Sequence, residues 1–494
     1  MPNQVQLGVE TLKKDAAALF LFVDSVCQFC IDSDSPAYLK PSEDFFKYIR
    51  DLGDATKAYL NIFSEKAPKD LRLYQDYRQK LETIRSCWFE FHQFLKPAID
   101  ADTLSMPYPL VEALTKRLNQ IKGLENTTFV LFHLDEVNYL QVRVSEIRRT
   151  ANRLASIIPD SDPFPADLGM IGIPYSQSSA LYLNCLIAHE VGHFVFQRFQ
   201  QKQKILPEVE RCLKVSLASQ ARTTVEMLDW SRDRLLSWAE ELFCDLFAIF
   251  LVGPCYALAY VELFGLTTIL NPDPAISSGY SLTPESTIFS RSHPADLFRL
   301  KQHVALLQKG DGWWKKVDTI KSHCVDVLRA AASVSDTGFV FFTDEQPHAY
   351  AGATLQGFFA LAPIVQNVTS DVTRGLDSGL TEYEKFGDLI ESHLERAVVP
   401  STVFDGHYHW YPDTVALLNA SMKFALESLE KLMNSVKDQK TLLAGHRSRW
   451  LNRVEFLTSK ALEDHHLLVK EKGSVSVGGS FKRADISAAE QAGH

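Results

Sequence analysis

Three residues whose types and spacing could do chemistry stand close together at His189-Glu190-Val191-Gly192-His193, an H-E-x-x-H pattern. On a helix, positions four apart share one face about a turn from each other, so two imidazoles at that spacing can point at one metal ion. Glu190 follows His189 directly and can reach a water beside that metal, the arrangement of metal-assisted hydrolysis. The stretch from Ser178 to Ala188, and Phe194-Val195-Phe196 after the motif, carry neither Pro nor charge. That reads as a buried helix with its polar groups gathered in one place, which is costly unless they are paired or bind metal. The competing reading is a helix with two ordinary histidines and a surface glutamate. It fits the apolar flanks poorly, because surface helices alternate more evenly.

Catalytic zinc takes three protein ligands and keeps a fourth position open. Downstream, Trp238-Ala-Glu240-Glu241-Leu-Phe-Cys244-Asp245-Leu-Phe-Ala248 sets Glu241 and Asp245 four apart within an apolar run. Metal ligation by Glu241, with Asp245 orienting a histidine from behind, accounts for a carboxylate pair in such surroundings. Glu240 could be mistaken for the ligand. Cys244 is the other candidate, on a different face and better suited to core packing. An acidic turn on a core helix is the plainer alternative.

These two segments together resemble the gluzincin metallopeptidases, and are similar to the HtpX-type membrane peptidases and the soluble ImmA/IrrE-type peptidases. A third segment, Ser292-His293-Pro294-Ala295-Asp296-Leu297-Phe298-Arg299, resembles an HtpX-type His-Pro segment with Arg six residues after the His. The resemblance spans about residues 165–305. It implies a zinc site of His189, His193 and Glu241, with Glu190 as general base. It places His293 near the zinc to stabilise the oxyanion, and Asp245 and Arg299 as supports. It also implies that the extended run Leu168–Pro174 is a sheet edge where Gly172 and Ile173 bind substrate backbone by strand addition; a plain buried strand is the alternative. The expected activity is zinc-dependent endoproteolysis of a protein or peptide substrate. The alternative is a catalytically silent zincin-fold protein that acts by partner binding, and the long flanks leave room for a regulatory protein partner.

The elements that must position these groups read as mainly helical. Helical periodicity covers Val9–Ile31, Glu43–Phe63 and Leu71–Leu95, then Val137–Ile158 after a strand at Thr128–Leu134. A helix or hairpin around Pro207–Leu217 is expected to cover the cleft. Helices return at Trp313–Ala332, Gly352–Val368, Thr381–Val398, Asp413–Ser435 and Gln439–Val469. The expected class is therefore α+β, mainly α-helical: a zincin-like core with a small edge sheet (126–309), a helical N-terminal region (1–125), a helical C-terminal region (310–472) and a disordered tail (473–494).

With 494 residues, 46% hydrophobic and 23% charged, the composition is that of a soluble globular protein. A net charge of −10 argues against nucleic-acid binding. No signal peptide is evident at the start. The apolar stretch Leu246–Leu270 contains Pro254 and Glu262, so a buried helix pair is expected there and no stable membrane insertion. Eight scattered cysteines fit a reducing cytoplasm, and Cys27 and Cys30, a lone C-x-x-C, fit core packing. The sequons at Asn126, Asn367 and Asn419 carry little meaning without a secretory signal. His407 and His409 lie in an aromatic loop without a third ligand nearby, and His465-His466 reads as a solvated helix end.

Overall fold

The computed structural model describes residues 4–29, 43–65, 71–103, 107–134, 140–141, 144–159, 161–165, 167–174, 180–218, 225–263, 288–290, 292–309, 314, 317–322, 340–341, 351–374, 376, 378–404, 409–410, 412–435, 452–464 and 480–481. In chain order the first elements are helices Gln4–Phe29 (α1), Glu43–Glu65 (α2), Leu71–Thr103 (α3) and Tyr108–Leu118 (α4). Strands Thr128–Leu134 (β1) and Leu140–Gln141 (β2), helix Val144–Ala155 (α5) and strand Leu168–Pro174 (β3) follow. A short 3-10 turn, Leu183–Leu186, leads into Ile187–Arg198 (α6), Gln201–Ser216 (α7), Val225–Val252 (α8) and Pro254–Leu263 (α9). Ile288–Phe289 (β4) precedes Asp296–Lys309 (α10), and Val340–Phe341 (β5) precedes Ala351–Thr373 (α11) and Ser378–Glu395 (α12). Val403–Phe404 (β6), His409–Trp410 (β7) and Thr414–Ser435 (α13) come next. The chain is mainly α-helical with small sheets, as its periodicity predicts. No helix among the described residues is long and apolar enough to cross a membrane.

Two compact units interleave along the sequence: Met1–Tyr108 with Asn126–Ser179, and Pro109–Glu125 with Ala180–His494. The expected boundary at 125/126 therefore does not separate them: β1 and β3 belong with the N-terminal helices, and residues 109–125 with the later chain. Most of Gln439–Val469 and of Trp313–Ala332 lies outside the described residues; helix is seen at 452–464 and 318–322. The tail from 473, apart from Ser480–Phe481, lies outside them too, as do Cys30, His407, His465 and His466.

In the first unit, α1 turns Leu12, Ala16, Leu19, Val23 and Val26 inward, a spacing of three and four that makes one apolar stripe. Phe45, Ile49 and Leu52 of α2 and Ile84, Trp88 and Phe91 of α3 complete the core. Cys27 is packed in this core as a free thiol, and burial raises its pKa to about 11. The sheet runs in the order β1-β3-β2, with β1 parallel to β3 and β2 antiparallel to it.

That order corrects the expected edge strand. Gly172 pairs with Phe132 on one side and Leu140 on the other, and Ile173 pairs with His133. All seven residues of β3 are buried. An unbroken apolar run is the pattern of a strand covered on both faces, and β3 is one. Its backbone at Gly172 is already occupied on both sides and does not offer a free edge for strand addition.

In the second unit the helix pair α6–α8 is the closest approach that matters for chemistry. A Cβ at Gly192 would stand 2.8 Å from the Cα of Cys244, so only glycine lets the two backbones come so near. The chain then breaks at Gly253 (φ 81°) and Pro254, and α9 turns back. Buried Asn419 of α13 satisfies that break, accepting from the Cys255 N–H at 3.2 Å and donating to Val252 O at 2.7 Å. A side chain so enclosed is no glycan acceptor. The α7 segment is a helix, as one of the two expected forms.

Candidate metal centre

The α-helix that carries the motif starts at Ile187, shorter than the apolar run implies, because 183–186 takes the tighter 3-10 form. His189 and Glu190 are buried on it, and His193 is half-buried. The two imidazoles have ring centroids 4.9 Å apart, near perpendicular.

Each imidazole is gripped from behind. His189 Nδ1 lies 2.9 Å from Asp245 Oδ1, and His193 Nδ1 lies 3.0 Å from Glu240 Oε1. The Nε2 atoms face Glu241: His189 Nε2 is 3.4 Å from its Oε2 and His193 Nε2 is 3.5 Å from its Oε1. Glu241 Oε2 is buried yet has no hydrogen-bond partner. Its charge is met by an ion pair with Arg299 at 3.5 Å, but that oxygen accepts no hydrogen bond and keeps capacity to bind.

Asp245 is fully buried and forms the hub beneath the site. Arg299 of α10 donates to it twice, from Nε and Nη2, each at 2.6 Å. The Tyr256 hydroxyl of α9 donates to Oδ1 at 2.5 Å and also stands 3.3 Å from His189 Nδ1. Arg299 Nη2 reaches Glu241 Oε2 at 3.5 Å, and its guanidinium lies over the Tyr260 ring at 4.9 Å. His303 Nε2 is 3.2 Å from Asp245 Oδ2, but neither ring nitrogen of His303 makes a hydrogen bond.

Burial alone would raise the Asp245 carboxyl. The Arg299 cation outweighs it and holds the carboxyl well below the ordinary range. Burial likewise opposes ionisation of Glu241, but His189, Arg299 and His193 bring it down to about 2. Without metal, burial pushes the His189 imidazole down, yet Asp245 and Glu241 hold it at about 10. Without metal the centre is therefore a protonated His189 and a neighbouring His193 facing an ionised carboxylate, and a metal would take the place of that proton.

His293 lies on the segment between β4 and α10. The Trp238 indole donates to Ser290 O at 3.1 Å and the Ser237 hydroxyl to Ser292 O at 2.9 Å, fixing this segment to α8. His293 Nε2 is 3.6 Å from Glu241 Oε1, its Nδ1 is 2.7 Å from the Ser292 hydroxyl, and 54% of its side chain is exposed. Partial burial lowers its pKa.

The structure thus brings together His189, Glu190, His193, Glu241, Asp245, His293 and Arg299, all in the second unit. Gly172 and Ile173 belong to the first unit. Sequence reasoning missed Glu240 as the partner of His193, and it missed Tyr256 and His303. Arg299 and His303 are four apart on α10, a spacing signal that was there to be read. Tyr256 carried none, because the Gly253–Pro254 break destroys helical phase between it and Asp245.

Ring nitrogens of His189 and His193 and the Cys244 Sγ all lie within 4.8 Å of one another, a grouping able to hold a metal ion. As a donor set it competes with the one that uses Glu241. Burial first, then the surrounding carboxylates, hold the Cys244 thiol well above its ordinary value, which disfavours the thiolate a metal needs. Glu241 is already ionised and carries the orphaned oxygen, so its donor set fits a metal better. Comparisons with protein-family models, curated proteins and solved structures returned no match to this chain.

Proposed function

We propose that this chain is a soluble zinc-dependent endopeptidase of the gluzincin type, in which His189, His193 and Glu241 hold the metal. The observation that carries the reading is the convergence of both Nε2 atoms on Glu241, whose Oε2 is buried without a hydrogen-bond partner, while both Nδ1 atoms are taken by carboxylates. Carboxylate–histidine pairs of this kind orient metal ligands and raise their basicity. When bound, zinc would polarise a peptide carbonyl and bring the pKa of water towards about 7.

The chain's own residues do the rest. The Glu190 carboxylate, one residue from His189 on the same helix, accepts the proton of the attacking water and returns it to the leaving amine. His293 Nε2 donates to the negative charge that develops on the carbonyl oxygen. Asp245 and Glu240 keep the two imidazoles turned with Nε2 forward. Arg299 neutralises Asp245 and part of Glu241, which lets two carboxylates stay ionised at burial.

Elemental analysis of purified protein beside Glu241→Ala tests the metal set: about one zinc per chain, lost in the variant, is expected. Glu190→Gln should keep zinc and cleave an unfolded casein at least about a hundredfold more slowly. No zinc in freshly purified wild type, or an equally fast Glu190→Gln, overturns the reading.

A further inference from the structure

Beneath the proposed metal site lies a buried histidine that the proposed mechanism does not use. Asp296, Arg299 and His303 follow at intervals of three and four along α10 and share one face of that helix. The face meets α9. The Tyr260 hydroxyl donates to Asp296 Oδ1 at 2.7 Å, and the Arg299 guanidinium covers the Tyr260 ring. The His303 ring lies 5.0 Å from that of Tyr260 and 5.5 Å from that of Tyr256. His303 is 0% exposed, and neither of its nitrogens makes a hydrogen bond. Burial lowers its pKa, which favours the neutral ring. Packing alone does not ask for a histidine here. A phenylalanine would fill the slot between the two tyrosines without hiding two unpaired nitrogens from water.

The carboxylate beside the ring does ask for one. Asp245 Oδ1 already meets His189 Nδ1, the Tyr256 hydroxyl and Arg299 Nη2. Its Oδ2 accepts, among the described residues, from Arg299 Nε alone. A carboxylate oxygen has two lone-pair sites, so Oδ2 has room for a further donor. His303 Nε2 stands 3.2 Å from that oxygen, within reach but out of hydrogen-bonding alignment. A small turn of the ring would align it. Once His189 is fixed as a ligand, a donor on Oδ2 removes the remaining freedom of the carboxylate behind it. We propose that His303 is a positioning residue for the metal site, whose Nε2–H closes onto Asp245 Oδ2 in the loaded protein and so holds that carboxylate behind His189. The role rests on the zinc reading above, because Asp245 reaches the metal only through His189. A polar ring is kept where an apolar one would pack, at a cost borne by the empty protein.

Competitive zinc titration of the full chain beside His303→Phe and His303→Gln tests this. His303→Phe is expected to bind zinc about tenfold more weakly, as when a group that supports a ligand is removed. Its thermal midpoint in excess chelator should equal or exceed that of wild type, because two buried unpaired nitrogens are gone. His303→Gln, whose Nε2 amide can reach the same oxygen, should bring zinc affinity back to within about threefold of wild type. Nitrogen NMR of the zinc-loaded wild type, with isotope-labelled histidine, should show a neutral His303 ring protonated on Nε2, and that measurement needs neither variant to fold. A folded His303→Phe that binds zinc like wild type, a folded His303→Gln as weak as His303→Phe, or a ring protonated on Nδ1 overturns the role and leaves the zinc site standing. Wild type that binds no zinc overturns the zinc site, and the role with it.

Discussion

Asp245 meets a guanidinium, a phenol and an imidazole at full burial. Its value to the fold lies mostly in what its loss would leave behind. Asp245→Asn keeps the shape but strips Arg299 of its main counter-ion, and breaking a buried pair of this kind costs about 3–5 kcal/mol. Urea denaturation should show that loss. Tyr256→Phe removes one neutral donor, so a stability loss nearer 1 kcal/mol is expected. Its metal affinity should fall about tenfold, read by competitive zinc titration, because the tyrosine steadies the carboxylate behind His189. Ahead of the motif helix, half-buried Glu455 accepts the Tyr182 N–H at 3.2 Å. Burial raises its pKa, and the backbone N–H groups of Tyr182 and Leu181 only partly offset that. A carboxyl with a raised folded value is disfavoured as its anion. The cost is present at neutral pH and vanishes once pH falls below the unfolded value, about 4.3. Glu455→Gln should therefore raise Tm at pH 7 by a few degrees and leave it unchanged near pH 3.5, in a thermal scan at both values.

The α6–α8 pair is where helix geometry becomes chemistry. Gly192 against Cys244 sets how far the imidazoles stand from Glu241. Gly192→Ala would place a methyl group 2.8 Å from backbone, so the helices must part. A loss of about 1–3 kcal/mol is expected, together with weaker zinc binding, since the Nε2 atoms would draw away from the carboxylate. A Gly192→Ala protein as stable and as metal-loaded as wild type would refute that role. Elements differed in how legible they were. Helices with an apolar stripe, such as α2 and α13, stand where periodicity puts them, and so does β1. So do the residues that face each other across α6 and α8, because spacings of four on two apolar helices leave few other partners for buried carboxylates. The position of β3 in its sheet was hidden, since its neighbour β2 is only two residues long and a continuous apolar run does not say which sides are paired. The role of Asn419 was equally hidden: it answers a helix break more than 160 residues earlier, and no local pattern signals that.

At the scale of the molecule, every group proposed to touch the metal lies in the unit formed by Pro109–Glu125 and Ala180–His494. Removing zinc by chelation should lower the calorimetric transition of that unit by several degrees, while the transition carried by the α1–α3 core stays in place. Asp245 draws its partners from α6, α9 and α10, segments 56, 11 and 54 residues away in the chain. A partly folded chain that closes α6 on α8 before α10 arrives would seal two carboxylates, Asp245 and Glu241, around His189 without the guanidinium that offsets them. Such a state is penalised by several kcal/mol, whereas one that waits for Arg299 is not. The ionic hub thus acts as a checkpoint on the order of assembly: helices that pack in the wrong sequence reopen, and the groups poised for chemistry come into register together, at the end.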